Sequence, residues 1–182
     1  MNKPGREYKK PSERAAGLIL NIFGWIKYIV GSPITVIPRG HAVQHIGKEL
    51  GAGKSLRFQN ILLVEDDTNV AEDFIEAIKS YYVCGSVNIF VAHAYDAAVS
   101  FFENEGINLV IMDADLDDDD GDGATLTRQL LIQKPDLTIL ANSSSKISNL
   151  KLTGSGAKET LGKSPEKLKN WLLLHDPTGA ER

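Results

Sequence analysis

Between Ile61 and Leu174 the chain alternates short, unbroken apolar runs with segments whose apolar residues recur every three or four positions. Ile61-Leu62-Leu63-Val64, Leu109-Val110-Ile111-Met112 and Leu137 to Ala141 are runs of the first kind, the pattern of parallel strands covered on both faces. Val87 to Ala92 and Ala157 to Leu161 read as weaker strands. Val70, Phe74, Ile78 and Tyr81 fall at helical spacing, as do Ala97, Phe101 and Phe102, and then Leu126 and Leu130. Each set predicts a helix with one buried stripe. Ser164-Pro165 supplies an N-cap and a first helical residue for a last helix, which carries Leu168, Trp171, Leu172 and His175 on one face. The order βαβαβαβαβα predicts an α/β fold built on a doubly wound, five-stranded parallel sheet.

The pattern before Ile61 is different. Met1 to Arg14 is polar and basic and reads as an arm. Ala15 to Val30 is strongly apolar, interrupted by Asn21 and Lys27, and Gly17, Asn21, Gly24, Lys27 and Gly31 fall in one sector of a helical wheel. Residues 15–31 are therefore expected to form an amphipathic helix, shorter than the ~20 residues needed to span a bilayer. Such a helix has three uses: covering the domain's own surface, docking on a protein partner or a second copy, or lying in an anionic membrane surface helped by Lys9, Lys10, Arg14 and Lys27. Ile34 to Ile37 reads as a short strand, His41 to Leu50 as a short helix, and Gly51 to Asn60 as a linker. His41 and His45 lie four apart without a third ligand nearby. Gly53-Lys54-Ser55 lacks the glycine at 48 that a phosphate-binding loop requires, since Lys48 stands there. The division expected is a basic, partly helical extension and linker over 1–58, a domain over 59–176 and a tail over 177–182.

Composition sharpens this division. The 182 residues suffice for one domain and an appendage, and 42% hydrophobic with 24% charged residues excludes a wholly disordered or fibrous chain. Residues 1–60 hold ten Lys/Arg against three acids, whereas residues 61–182 hold ten against twenty-one. The first segment is drawn to anionic partners, and the second is not expected to bind nucleic acid. Cys84, the single cysteine, can close no intramolecular disulfide. Cys84, His93 and His175 show no ligand spacing and read as packing or surface residues.

In a doubly wound sheet, ligands bind beyond the carboxyl ends of the strands where the strand order reverses. The first strand ends in Glu65-Asp66-Asp67, the third in Asp113, the fourth in Asn142-Ser143-Ser144, and the fifth is followed by Lys163. Carboxylates held within a few ångströms repel by roughly 2–3 kcal/mol per pair at an effective dielectric near 20, so they protonate or hold a cation. Mg²⁺ suits a few carboxylates with retained waters and phosphate oxygens, as between Glu65, Asp66 and Asp113. A carboxylate is also a nucleophile toward phosphorus, and Asp113 sits centrally for that role. Mg²⁺, the Lys163 ammonium and the Ser143 hydroxyl could then supply positioning and charge neutralisation.

These pieces, in this order, resemble the receiver domain of two-component response regulators: Ile61 to Asp67, then Leu109 to Asp113, Asp120-Gly121, Ser143, and Gly156-Ala157 leading to Leu161-Gly162-Lys163. The resemblance spans residues 61–174 and implies a flavodoxin-like receiver, a signalling switch rather than an enzyme. It implies that Asp113 accepts a phosphoryl group, that Asp66 ligates Mg²⁺ directly and Glu65 through water, and that the backbone carbonyl of Asp115 completes the metal set. It further implies that Ser143 binds a phosphoryl oxygen, that Lys163 pairs with Asp113 and then with its phosphate, and that the donor is a histidine kinase or phosphotransfer protein in the cytoplasm. The sequence departs from the family at Asp117 and Ser164, where proline is usual, and at Thr160, where an aromatic residue is usual. The stretch from Ser143 to Gly156 is also short, which predicts a short or irregular fourth helix. These departures motivate an alternative, a degenerate receiver acting as a phosphorylation-independent binding module. Seven aspartates between Asp113 and Asp122 also admit a solvated acidic loop or the opening of a calcium loop, although Gln129 stands at the twelfth position of the latter. Asp113-Ala114-Asp115 resembles a haloacid-dehalogenase-like phosphatase pair, with Asp117 where Thr or Val is usual. Asp67 or Thr68 could simply cap a helix.

Overall fold

The computed structural model describes residues 34–37, 41–46, 55–82, 87–116 and 122–180. All of them belong to one unit. The amphipathic stretch 15–31, Cys84 and the aspartates at 117–120 lie outside the described residues. In chain order the elements are β1 (Ile34–Ile37), β2 (His41–Ile46), β3 (Asn60–Val64), α1 (Thr68–Tyr81), β4 (Val87–Ala92), α2 (Tyr95–Asn104), β5 (Leu109–Met112), α3 (Gly123–Gln133), β6 (Thr138–Ala141), α4 (Lys146–Gly154), β7 (Glu159–Thr160) and α5 (Pro165–His175). A 3₁₀ turn over Pro177–Ala180 follows.

The sheet runs in the order β1-β2-β4-β3-β5-β6-β7. From β4 to β7 every pairing is parallel, which is the expected doubly wound, five-stranded core with its order reversing between β3 and β5. Period-two alternation divides the core between two faces. Ile61, Leu63, Ile89, Val91, Leu109, Ile111 and Leu140 pack with α1 and α5 through Phe74, Ile78, Leu168, Trp171 and Leu172. Leu62, Val64, Phe90, Ala92, Val110, Met112, Ile139 and Ala141 pack on the other face with Ala98, Phe101, Leu126, Leu130 and Leu152 of α2, α3 and α4. With both faces covered the strands must be apolar throughout, which is why they show as unbroken runs. Ser164 caps α5 through the Lys167 amide with Pro165 in the first turn, and α4 has nine residues, short as expected.

The N-terminal side departs from expectation. His41 to Leu50 was expected to be helical, but His41–Ile46 is a strand, antiparallel both to β1 (Ile37↔His41) and to β4 (Val43↔Phe90, Ile46↔Val87). Ala42, Val43 and Ile46 satisfy a helical and an extended pattern equally, so pairing decides. Without β2, the outer edge of β4 would present a row of unpaired N–H and C=O groups. The parallel core thus becomes a seven-stranded mixed sheet. The stretch assigned to a linker also contributes to the core, since Leu56 and Phe58 are buried and the Phe58 ring lies 5.4 Å from that of Trp171. Among the described residues no helix is long and apolar enough to cross a membrane.

Asp176, directly after α5, ties these parts together at the amino end of β3. Its carboxylate is buried and accepts the backbone N–H groups of Arg57 and Phe58, each at 3.1 Å, and the Tyr82 hydroxyl at 3.0 Å. Its carbonyl accepts the Tyr81 hydroxyl at 2.8 Å. Gly179 then lies flat on Tyr82, where a Cβ would come within 2.4 Å of the ring. Burial, reinforced by the Asp176 charge, pushes the Tyr81 hydroxyl up to about 12 and moves Tyr82 in the same direction.

Hydrogen bonds to a charged group contribute about 1.5–3 kcal/mol each, so Asp176→Ala is expected to cost several kcal/mol in urea unfolding at neutral pH. A raised folded-state pKa gives stability that is complete below the unfolded value and is lost as pH climbs through the folded one. Stability should therefore fall as pH rises from the ordinary tyrosine value of 10.0 toward about 12, and Tyr81→Phe should flatten that decline.

Candidate functional site

The parallel register brings five chain segments to one rim. Val64 is level with Met112, Met112 with Ala141, and Ala141 with Thr160. The ladder continues one residue past each strand: Glu65 N–H bonds Ala92 O (3.0 Å), Asp113 N–H bonds Val64 O (2.9 Å), Asn142 N–H bonds Met112 O (2.8 Å) and Leu161 N–H bonds Ala141 O (2.7 Å). Glu65, Asp113 and Asn142 are thereby fixed by main-chain bonds before any side chain acts.

Gly162 (φ +66°) and Lys163 (φ +53°) then turn the chain back over the rim. The left-handed conformation costs a residue with a Cβ roughly 1–2 kcal/mol. What it achieves is reach: Lys163 Nζ donates to Glu65 Oε1 at 2.7 Å and to Asp113 Oδ2 at 2.9 Å. Glu65 and Asp113 are 0% and 2% exposed, so their charges are largely cut off from solvent. Asp66 retains access to solvent, and one oxygen from each of Glu65, Asp66 and Asp113 lies within 4.8 Å of the others.

One ammonium does not balance three carboxylates. Burial, with the Asp113 charge adding to it, pushes Glu65 up to about 7 despite its bond to Lys163. Lys163 feels burial in the opposite sense, but its hydrogen bonds to Glu65 and Asp113 prevail and hold its pKa above the ordinary lysine value. The cluster is thus short of positive charge near neutral pH. Three hard oxygen donors, one of them open to solvent, suit a small divalent cation that retains waters.

The structure therefore brings together Glu65, Asp66, Asp113 and Lys163. Asp67 is a helix cap, its carboxylate accepting the Asn69 and Val70 amides, and those bonds hold its pKa below the usual range. Asp115 points its carboxylate at Ser148, 3.1 Å from the hydroxyl. Ser143 is buried at the rim and is held by α4: Asn149 accepts its N–H at 3.0 Å and donates to its carbonyl at 2.6 Å, while its Oγ accepts the Ser145 amide at 3.1 Å. Thr160 is exposed.

Three participants are invisible to motif reasoning. Asn142 bonds both Glu65 and the Lys163 main chain. His93 lies with Nδ1 2.7 Å from the Glu65 carbonyl, so that nitrogen carries the proton and donates. Gly123 opens α3 directly against the end of β5, where a Cβ would fall 1.8 Å from the Asp113 carbonyl oxygen. A polar residue breaking the apolar run at 142 was the one available sign.

Solved structures similar to this one include receiver domains of response regulators. A CheY-like response-regulator receiver from Methanospirillum hungatei JF-1 matches with a TM-score of 0.52 at 19% identity, covering 65% of this chain and 93% of its own. The receiver domain of NtrX from Brucella abortus matches with a TM-score of 0.54 at 18% identity, covering 67% and 99%. The BeF₃-activated DrrB receiver domain matches with a TM-score of 0.52 at 21% identity, covering 63% and 94%. No protein-family model and no curated protein matches the sequence. The described parallel core has the receiver fold.

Two outcomes follow from the geometry. With divalent cations chelated, Glu65 titrates higher in the folded than in the unfolded chain, so its contribution to stability is complete below 4.5 and is lost as pH rises through about 7. Unfolding midpoints measured across that window should decline, and Glu65→Gln should remove much of the slope. Gly123→Ala must displace the Asp113 main chain, and should lower the unfolding midpoint by more than the same change at the open position Gly154.

Proposed function

We propose that this chain is a response regulator of a two-component system, in which Asp113 accepts a phosphoryl group from a phosphohistidine on a kinase or phosphotransfer protein. The observation that carries this reading is a buried carboxylate at the strand-order switch point, bonded to one lysine and within 4.8 Å of two further acids. An Asp113 carboxylate oxygen attacks phosphorus, an O–P bond forms, and the P–N bond breaks. The imidazole leaves with the electron pair, and an acyl phosphate remains.

The residues around Asp113 fit these roles. Asp66, open to solvent, is placed to hold Mg²⁺ directly, with Glu65, Asp113 and the Asp115 carbonyl completing the set. Bound Mg²⁺ supplies neutralisation of the phosphoryl oxygens. Lys163 neutralises Asp113 before transfer and follows the charge onto the phosphate afterwards. The Ser143 hydroxyl, whose oxygen accepts the Ser145 amide, donates its own proton to a phosphoryl oxygen, and because Asn149 grips Ser143 at both main-chain groups, a shift of that main chain toward the phosphate is transmitted to α4. Output then passes through protein contacts.

Incubation with a small phosphodonor and Mg²⁺ should add the mass of one phosphoryl group, as read by intact-mass spectrometry. Asp113→Asn or chelation of the metal should abolish the addition, and Asp66→Asn should slow it by about tenfold or more. No addition to the wild-type chain, or addition indifferent to Asp113→Asn, would instead support a phosphorylation-independent binding module.

A further inference from the structure

One buried polar side chain at the rim has no part in the chemistry just described. Asn142, the first residue beyond β6, is 0% exposed and uses both ends of its amide. Nδ2 donates to Glu65 Oε2 at 3.3 Å, and Oδ1 accepts the backbone N–H of Lys163 at 2.9 Å. Lys163 Nζ returns to Glu65 Oε1 at 2.7 Å. Glu65, Asn142 and Lys163 therefore close a ring, which rests on Asp113 through the second bond of the lysine ammonium.

The chemistry of each corner dictates an amide at 142. A carboxylate there could accept the Lys163 N–H but could not donate to Glu65, and it would add a fourth negative charge. An aliphatic side chain would leave a buried carboxylate oxygen and a buried N–H without partners. A hydroxyl is too short to serve both. Lys163 has particular need of such a partner because its main chain sits at φ +53° and the next residue, Ser164, is committed to capping α5. The turn that delivers the ammonium is thus held from the sheet by the Asn142 side chain.

We propose that Asn142 is a positioning residue for phosphoryl acceptance, locking the Lys163 main chain and the Glu65 carboxylate into one unit. With the main chain fixed, only the lysine side chain moves when charge passes from the Asp113 carboxylate to the phosphoryl oxygens. The same amide couples the cation side of the cluster, Lys163, to its acidic side, Glu65. This inference rests on the reading of Asp113 as the acceptor.

The test compares Asn142→Leu, which keeps the branching and the number of heavy atoms and loses both bonds, with Asn142→Asp, which keeps only the acceptor for Lys163. Amide hydrogen exchange at Lys163, read by NMR in metal-free, unphosphorylated protein, reports the main-chain bond independently of activity. Initial rates with a small phosphodonor across a range of Mg²⁺ concentrations report the cluster. For Asn142→Leu the expected result is faster Lys163 exchange, a maximal rate lower by on the order of tenfold, and a higher half-saturating Mg²⁺ concentration. Asn142→Asp should restore slow exchange and much of the maximal rate while the Mg²⁺ dependence stays displaced. A residue that only packs would lower the unfolding midpoint and leave exchange, rate and Mg²⁺ dependence of the folded protein as in wild type; that result overturns the proposal. Should Asn142→Leu fail to fold, an unaltered Mg²⁺ dependence in Asn142→Asp overturns it equally. A wild-type chain that takes up no phosphoryl group overturns the acceptor reading instead, whatever the exchange data show.

Discussion

The carboxyl rim depends on one electrostatic constraint: two acids lie almost wholly out of water, a third stands beside them, and one lysine ammonium bridges the buried pair. At an effective dielectric of 20, two full charges 4.8 Å apart interact by about 3 kcal/mol, a large fraction of what a domain of this size has to spare. The lysine offsets part of this in the resting protein. A divalent cation would offset more, and the proposed phosphoryl group on Asp113 would redistribute it. The same imbalance that makes the cluster costly makes it responsive, because any added charge changes which pairings are favourable.

Main-chain geometry, rather than side-chain reach, brings the cluster together. Parallel register puts the residues after β3, β5 and β6 level with one another, and the lysine arrives from the left-handed turn after β7. The opposite end of the sheet holds the counterpart. There Asp176 gathers the lead-in to β3, the end of α1 and the end of α5 with one carboxylate, and its donors are two backbone amides and a hydroxyl instead of a lysine. The buried acid at one end has only neutral donors as partners, whereas those at the other share a cation and crowd further acids, the arrangement on which the proposed function rests.

The parts legible in the sequence are those where one physical rule acts alone. Strands covered on both faces must be apolar, so the runs at 61–64 and 109–112 mark themselves, and Ser164-Pro165 satisfies helix-start chemistry wherever it stands. The strand at 41–46 was not legible because its pattern fits two periods and its structure is decided by an edge of β4 far along the chain. Leu56 and Phe58 looked like linker because two apolar residues in a short polar stretch carry no period. Glu65, Asp113 and Lys163 could be placed at the rim from the strand ends, but Asn142 could not be given a role, since its value lies in simultaneous contacts with residues 77 positions before it and 21 after it.

The departures from the family pattern take on physical meaning in this framework. With serine at 164, the main chain after the lysine is shaped by a helix cap and by Asn142, two side-chain devices that sit directly on the site. Thr160 is exposed and small, so position 160 carries no large side chain that could move between core and solvent. The rim is joined to α4 by the grip of Asn149 on both main-chain groups of Ser143, two residues beyond β6, and the outer face of that nine-residue helix exposes Ile147 and Leu150. That helix is also anchored by Leu152, fully buried in the core, and by Ser148, whose hydroxyl donates to Asp115 at 3.1 Å. Under the proposed phosphoryl transfer, the Ser143 hydroxyl would donate its proton to a charged oxygen while its own oxygen still accepts the Ser145 amide, and a shift of the Ser143 main chain would reach α4 through Asn149.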